Sequence, residues 1–234
     1  MEWQSTAELL LTARRTGVRL DRLPTAPSSM EEAVLVQRAV MAALGPVGGW
    51  KVGAPTPDGP PNCAPLPAAG IGTGAARAGF VEAEFAVVLG HDLPAREAPY
   101  LDGEIMAAIA SAHPAIEVLA SRFAIEPDVW SGVADSGGHA GLVLGDAIPA
   151  WAEIDFEVET VELRVAGSVV KTGQGNPGGP MLRLVRWLAD TGARWDGGLR
   201  AGQVVTTGSW TGKDPVQPGQ AVEARFEQCG VVRL

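Results

Sequence analysis

The stretch Val81-Glu82-Ala83-Glu84-Phe85-Ala86-Val87-Val88 decides how the chain is read. Phe80–Leu89 alternates, is partly β-branched or aromatic, and stops at Gly90, which predicts a strand. Residues two apart on a strand share a face, roughly 6.6 Å from each other. Glu82 and Glu84 therefore project side by side, while Ala83, Phe85 and Val87 line the opposite face. Two like charges in so apolar a run repel each other, and burial disfavours their ionised form unless a cation joins them. A hard divalent metal resolves the conflict, because Mg²⁺ takes carboxylate oxygens at about 2.0–2.1 Å. A bare E-x-E is also compatible with a solvated sheet face.

A third carboxylate, Glu117, stands in Pro114-Ala115-Ile116-Glu117-Val118-Leu119, with apolar residues on both sides. That is a costly place for an unpaired charge, although an edge strand would let it face water. As a third ligand it would complete an E-x-E…E set. Lys51 lies in Gly48-Gly49-Trp50-Lys51-Val52-Gly53, where glycines permit close backbone approach to a ligand. It is a candidate cation for an anionic substrate, or an ordinary exposed lysine. Gly70-Ile71-Gly72-Thr73-Gly74 imitates part of a dinucleotide fingerprint, but no strand precedes it and no amphipathic helix follows, so it is rejected. No phosphate-binding Walker motif and no G-x-S-x-G elbow occur. His91, His113 and His139 show no metal-ligand spacing, though His139 sits in a glycine-rich turn where it could touch a ligand.

Working outward, the first 45 residues read as helical. Ser28 and Ser29 each stand three residues before a glutamate, a capping pattern ahead of Ala33–Leu44 that Gly45-Pro46 ends. Gly53–Gly74 holds Pro55, Pro57, Pro60, Pro61, Pro65 and Pro67 and cannot be helix or central strand. Asp102 is expected to cap a helix through Ala112, stopped by Pro114. Short strands are predicted at 115–119, 141–144, 154–165, 168–171, 203–207, 221–226 and 230–234, with a helix over 180–189 closed by Gly192. This pattern predicts one catalytic domain over residues 1–234, with a helical segment 1–45 and a mostly β core 46–234.

Composition bounds the function. The chain has 234 residues and a net charge of −9, which argues against a nucleic-acid or anionic-membrane surface. With 46% hydrophobic and 19% charged residues it can build a core. Its 30 glycines and 18 prolines suit a turn-rich β protein. Cys63 and Cys229 are far apart with no C-x-x-C spacing, so a disulfide framework is not expected and a reducing cytoplasm is the default. The N-terminus is acidic, and Leu9-Leu10-Leu11 is interrupted by Thr12, Arg14 and Arg15, unlike a signal peptide or membrane span.

With these pieces located, the sequence resembles the 2-keto-4-pentenoate hydratase and 4-oxalocrotonate decarboxylase family of the fumarylacetoacetate hydrolase-like superfamily. The carriers are Lys51-Val52-Gly53, the E-x-E at 82–84 followed by 87–94, and 114–122 with Glu117. Further carriers are Ala134-Asp135-Ser136, Thr172-Gly173-Gln174-Gly175, Pro180-Met181, and 199–209 followed by 216–219. The resemblance implies an α+β, mostly β fold, a mixed β-sheet roll with peripheral helices. It implies Mg²⁺ or Mn²⁺ held by Glu82, Glu84 and Glu117, with Lys51 in the active site. There the catalytic lysine is expected to stabilise the enolate oxygen or shuttle a proton, its pKa lowered by the metal and by desolvation. Asp135, Ser136, Gln174, Thr207, Gly208 and Ser209 are the implied substrate-binding positions.

The implied substrate is a small 2-oxo or 2-hydroxydienoic acid, turned over through a metal-chelated enolate by a cytoplasmic homo-oligomer. A hydratase is the first expectation. A 4-oxalocrotonate-type decarboxylase, a C–C hydrolase of acylpyruvates and a silent metal-binding scaffold are the alternatives. Hydrolases of the superfamily use a histidine from the covering segment, and no histidine precedes His91. Ser136 stands where the family commonly has Asn. Trp210 stands where it often has a smaller aliphatic side chain, and either narrows the pocket or packs on the surface of the roll. The covering segment 53–74 is short and Pro-rich and is expected to influence substrate choice.

Overall fold

The computed structural model describes residues 2–72 and 79–234; Thr73 and Gly74, which end the Pro-rich segment and the rejected glycine motif, lie outside them. Two helices lead, α1 (Glu2–Thr16) and α2 (Met30–Leu44). The Ser29 side chain caps α2 by accepting from Glu32 N, while Glu32 accepts from Ser28 N and Oγ at 2.7 and 2.8 Å. The capping pattern is thus shared between both serines. Ala33, Val36, Gln37 and Met41 form the buried stripe at helical spacing.

The remaining elements are β1 (Val47–Gly53), β2 (Asn62–Pro67), β3 (Gly79–Leu89), β4 (Leu93–Pro94), α3 (Asp102–Ala108), β5 (Ile109–Leu119), α4 (Val129–Ala134) and β6 (His139–Leu144). They continue with β7 (Thr160–Val165), β8 (Ser168–Gln174), α5 (Met181–Trp187), β9 (Gly198–Leu199), β10 (Val204–Ser209), β11 (Asp214–Val216), β12 (Val222–Phe226) and β13 (Gly230–Arg233). Among the described residues a seven-stranded sheet runs β2-β1-β10-β3-β5-β6, with β11 also on β3. A four-stranded sheet runs β13-β12-β7-β8. The β1–β10 pair is parallel and the others in the large sheet are antiparallel, so the sheet is mixed.

The main core lies between the two sheets. Val81, Ala83, Phe85, Val87 and Leu89 face it from β3, and Val161, Leu163, Ala224 and Phe226 answer from the small sheet. Phe85 is 1% exposed and meets Phe156 edge-on at 4.6 Å, with Phe226 at 6.3 Å. α3 and α5 close the same core through Ile105, Leu184 and Val185. A second cluster joins α1, α2 and α4 through Leu10, Val36 and Ala134, and it takes in Phe123 from beyond the N-terminal segment.

Two expectations are corrected. The strand expected over 154–165 forms only from Thr160, as β7. The helix begun at Asp102 stops at Ala108, and β5 runs from Ile109 straight through Pro114. Pairing with β3 over its whole length outweighs helix propensity there. Phe85 O accepts from Thr207 Oγ1 on the β10 side, so its partner Pro114 turns its backbone towards β6, where Gly145 N donates to Pro114 O at 2.8 Å. The β6 ladder begins at Ala115 and never needs the N–H that Pro114 lacks.

The Pro-rich segment contains β2, an edge strand, which is where prolines 65 and 67 are tolerated. The glycine-bearing β1 was not predicted at all. A Cβ on Gly49 would sit 2.3 Å from Val204 O, so only glycine allows the parallel approach to β10.

Because Phe85 bridges both sheets, Phe85→Ala should destabilise the protein by about 3–5 kcal/mol, read as a lower urea midpoint at unchanged slope. A change near zero would show that the sheets are held together elsewhere.

Candidate active site

The β3–β5 register sets Glu82 opposite Glu117, and Glu84 follows two residues on along the same face. This face is the one turned away from the main core. One carboxylate oxygen from each of Glu82, Glu84 and Glu117 lies within 4.8 Å of the others. Glu84 is 2% exposed and Glu117 fully buried, whereas Glu82 is half-buried at the mouth. The solvated-face alternative therefore does not hold for two of the three.

Lys51 reaches this face because Trp50 and Val52, its neighbours on β1, are buried in the main core. Its Nζ donates to both Glu117 oxygens at 2.8 Å. One fifth of the lysine side chain stays exposed. From the other side, His139 Nδ1 lies 2.8 Å from Glu117 Oε1. Glu84 accepts a short hydrogen bond from the Thr206 hydroxyl.

These contacts split the three carboxylates. Burial would raise Glu117, but the Lys51 charge and the His139 bond outweigh it and hold the carboxyl at about 2. Burial raises Glu84 well above the ordinary range, and Glu117 and Glu82 add to the rise. Glu82 is raised chiefly by burial, opposed by Lys51 and by a bond from Ser209. Burial disfavours the Lys51 charge, yet the three carboxylates more than compensate and its pKa goes up. The expected lowering of the lysine is not produced by the chain's own groups; Lys51 is an ammonium.

His139 was left aside as a candidate, yet it is 1% exposed and bonded to the central carboxylate. Burial pushes its pKa down. A neutral ring donating from Nδ1 leaves Nε2 as a buried acceptor without a partner among the described residues. Its backbone carbonyl is held by Arg14 at 2.5 Å and by Arg122 at 2.9 Å. The only sequence signal was the glycine-rich turn before it. That turn carries Ser136 at φ 53° and Gly137 at φ 59°, and a Cβ on Gly137 would come within 3.3 Å of Lys51 Nζ. Asn tolerates the left-handed region better than Ser, which gives the Ser136 departure a backbone meaning.

The carboxylates open into a cavity of about 660 Å³. Lys51, Glu82 and Glu84 form its floor, Gly208, Ser209 and Asn176 one side, Pro55, Pro60 and Pro61 another, and Met30, Val129 and Trp130 the outer wall. Gly208 and Ser209 are thus at the site. Thr207 is not on this wall: its hydroxyl donates to Phe85 O at 2.9 Å. Gln174, exposed on β8, lines a separate cavity of about 370 Å³ with Thr207, Phe156 and Trp210. Trp210 is buried against Phe226 at 5.4 Å, so it belongs to the core rather than to either expected place.

The Asp135 carboxylate is bonded to the guanidinium of Arg122, whose NH2 also donates to Asp135 O at 2.6 Å. Asp135 and Ser136 border a crevice of about 20 Å³ behind His139. Asn176 was missed, although it holds the turn after β8 to β10 by donating to Thr207 O at 2.7 Å.

The fumarylacetoacetate (FAA) hydrolase C-terminal family matches residues 60–234, a span that includes the three glutamates but begins after Lys51. The chain is 35% identical to a 2-keto-4-pentenoate hydratase of Paraburkholderia phymatum and 36% identical to one of Burkholderia vietnamiensis, each over 157 residues. These matches cover 65% of this chain and 58% of each relative. A 4-oxalocrotonate decarboxylase of Pseudomonas putida is 28% identical over 163 residues, covering 65% of this chain and 58% of that protein. The structure is similar to that of a 4-oxalocrotonate decarboxylase from Pseudomonas putida complexed with magnesium and adipate. The TM-score is 0.82 at 23% identity, over 99% of this chain and 96% of that one. The family model spans well over half of the chain, and the chain belongs to the fumarylacetoacetate hydrolase family.

Proposed function

We propose that this protein is a divalent-metal-dependent lyase acting on a 2-oxo or 2-hydroxydienoic acid, as a hydratase that yields a 4-hydroxy-2-oxo acid. The convergence of Glu82, Glu84 and Glu117 beside Lys51 carries this reading. The names of the relatives, hydratases and decarboxylases, support the same chemistry.

The residues fit a hard cation. All three donors are carboxylate oxygens, two of the glutamates are buried, and the three carboxyl groups face a single ammonium. Mg²⁺ or Mn²⁺ suits such a set. When bound by Glu82, Glu84 and Glu117, it supplies Lewis acidity for negative charge developing on the substrate's 2-oxygen.

The chain's own groups do the rest. Lys51 keeps Glu117 ionised and lines the cavity, where its charge stabilises developing oxyanion charge. Held protonated, it is suited to give a proton rather than take one. Ser209 and the Gly208 backbone, which line the cavity, orient the substrate carboxylate in this reading. A hydrolase would need a histidine on the covering segment, and residues 53–74 contain none.

Mg²⁺ at about 100 times its Kd should stabilise the protein by about 2.7 kcal/mol, a rise of roughly 5–10 °C in melting temperature for this size. Glu84→Gln should abolish the rise; an unaltered shift in that variant would refute the ligand assignment. Lys51→Met should keep the Mg²⁺ shift and lose about 10²–10³ in kcat on 2-hydroxypenta-2,4-dienoate, followed by ultraviolet absorbance. Full turnover in that variant would remove Lys51 from the chemistry.

Glu84 also sets a pH dependence. A carboxyl raised in the folded state stabilises the protein below its unfolded pKa, and that contribution is lost as pH climbs through the raised value. Without metal, the melting temperature should fall as pH rises above the ordinary carboxylate range, and Glu84→Gln should flatten the fall. The Mg²⁺ shift should grow over the same window, because ligands bind deprotonated. Glu117 works in the opposite sense: its contribution is present above the ordinary carboxylate range and is lost as pH falls towards about 2.

A further inference from the structure

We infer that the site selects a 2-oxo acid with a single carboxylate and an apolar, uncharged far end longer than a five-carbon dienoate provides. This inference rests on the metal-dependent reading above and adds the class of the substrate's distal group.

The cavity is chemically two-sided. Its floor carries Lys51, Glu82 and Glu84, the charged groups of the lining, with Ser209 and the Gly208 backbone beside them for an acid head. The outer wall carries Met30 from the start of α2 and Val129, Trp130 and Val133 from α4, faced by Pro55, Pro60 and Pro61. Val129 is 71% exposed, so an alkyl or aryl group lying against it would remove apolar surface from water. About 660 Å³ is a volume that holds ligands of drug-like size, far more than five carbons fill.

Charge points the same way. Among the described residues Lys51 is the one cation that lines the cavity, and Glu117 binds it through both oxygens. Arg183 passes nearby but is spent on Gly178 O at 3.0 Å and Gly59 O at 2.5 Å. Lys213 acts on Glu82 from outside the lining. Asp128 caps α4 and adds negative charge beside the outer wall. A second carboxylate on the substrate would be desolvated against Met30, Val129 and Trp130 with no cation to receive it. An alkyl or aryl group would gain from the same surface.

The test is calorimetric binding to the Mg²⁺-loaded protein of pyruvate, 2-oxohexanoate and 2-oxoadipate, the last two matched in length. Binding of 2-oxohexanoate is expected to be about tenfold or more tighter than that of pyruvate, and about tenfold or more tighter than that of 2-oxoadipate. Trp130→Ala should erase the gain over pyruvate without changing pyruvate affinity. Val129→Lys, at an exposed position that folding does not depend on, should move the preference towards 2-oxoadipate.

Equal or tighter binding of 2-oxoadipate overturns the inference, and if Lys213→Ala removes that binding, Lys213 is the receiving cation. Equal affinity for pyruvate and 2-oxohexanoate overturns it too, while leaving the metal reading intact. If pyruvate itself fails to bind with Mg²⁺ present, the metal-dependent reading fails and this inference falls with it.

Discussion

The site exists because β3 and β5 pair antiparallel over their full length with Glu82 opposite Glu117. A slip of one residue would turn the carboxylates into the main core and Phe85 out of it. That slip is opposed from both sides of the sheet. The odd-numbered residues of β3 are locked between two sheets, and the even-numbered ones meet Lys51, Thr206 and the small cluster of Ala86, Ala115 and Leu142. Hydrophobic burial on one face thus enforces an electrostatic arrangement on the other that would not assemble unaided.

That arrangement is balanced but not neutral. Lys51 and His139 both spend their bonds on Glu117, so that carboxylate is held ionised, while burial and the neighbouring carboxylates push Glu84 upward. A buried ion pair of this kind is weak evidence for stability, since desolvation offsets much of the attraction. Its use is positional: Glu117 is presented ionised at a defined place, and the uncompensated charge of its neighbours makes a cation welcome there.

The helical cluster also takes part in the site. Arg14 of α1 and Arg122 both grip the His139 carbonyl, and His139 in turn grips Glu117. α2 and α4 supply the outer wall of the cavity through Met30, Val129 and Trp130. The helices therefore support the carboxylate face from behind and shape the space in front of it.

Much of this was legible in the chain. Alternation in 80–89 gave the strand, its face pattern and the pairing of Glu82 with Glu84, because a strand's two-residue period is local. An apolar setting flagged Glu117, and glycine spacing flagged Lys51. Local signals failed where neighbours decided. β1 carries no strand signal of its own because its glycines serve a close approach to β10, and 109–112 looked helical because β3 was not in view. Asp135, Gln174 and Thr207 could be named but not placed, and His139 could be suspected but not assigned, since direction and partner are tertiary quantities. The sequence by itself determined which residues can bear charge chemistry and on which face of each strand they stand, since backbone periodicity needs no partner. Only the tertiary structure decided that three carboxylates meet one lysine and one neutral histidine, since register, burial and dielectric belong to elements brought together from distant parts of the chain.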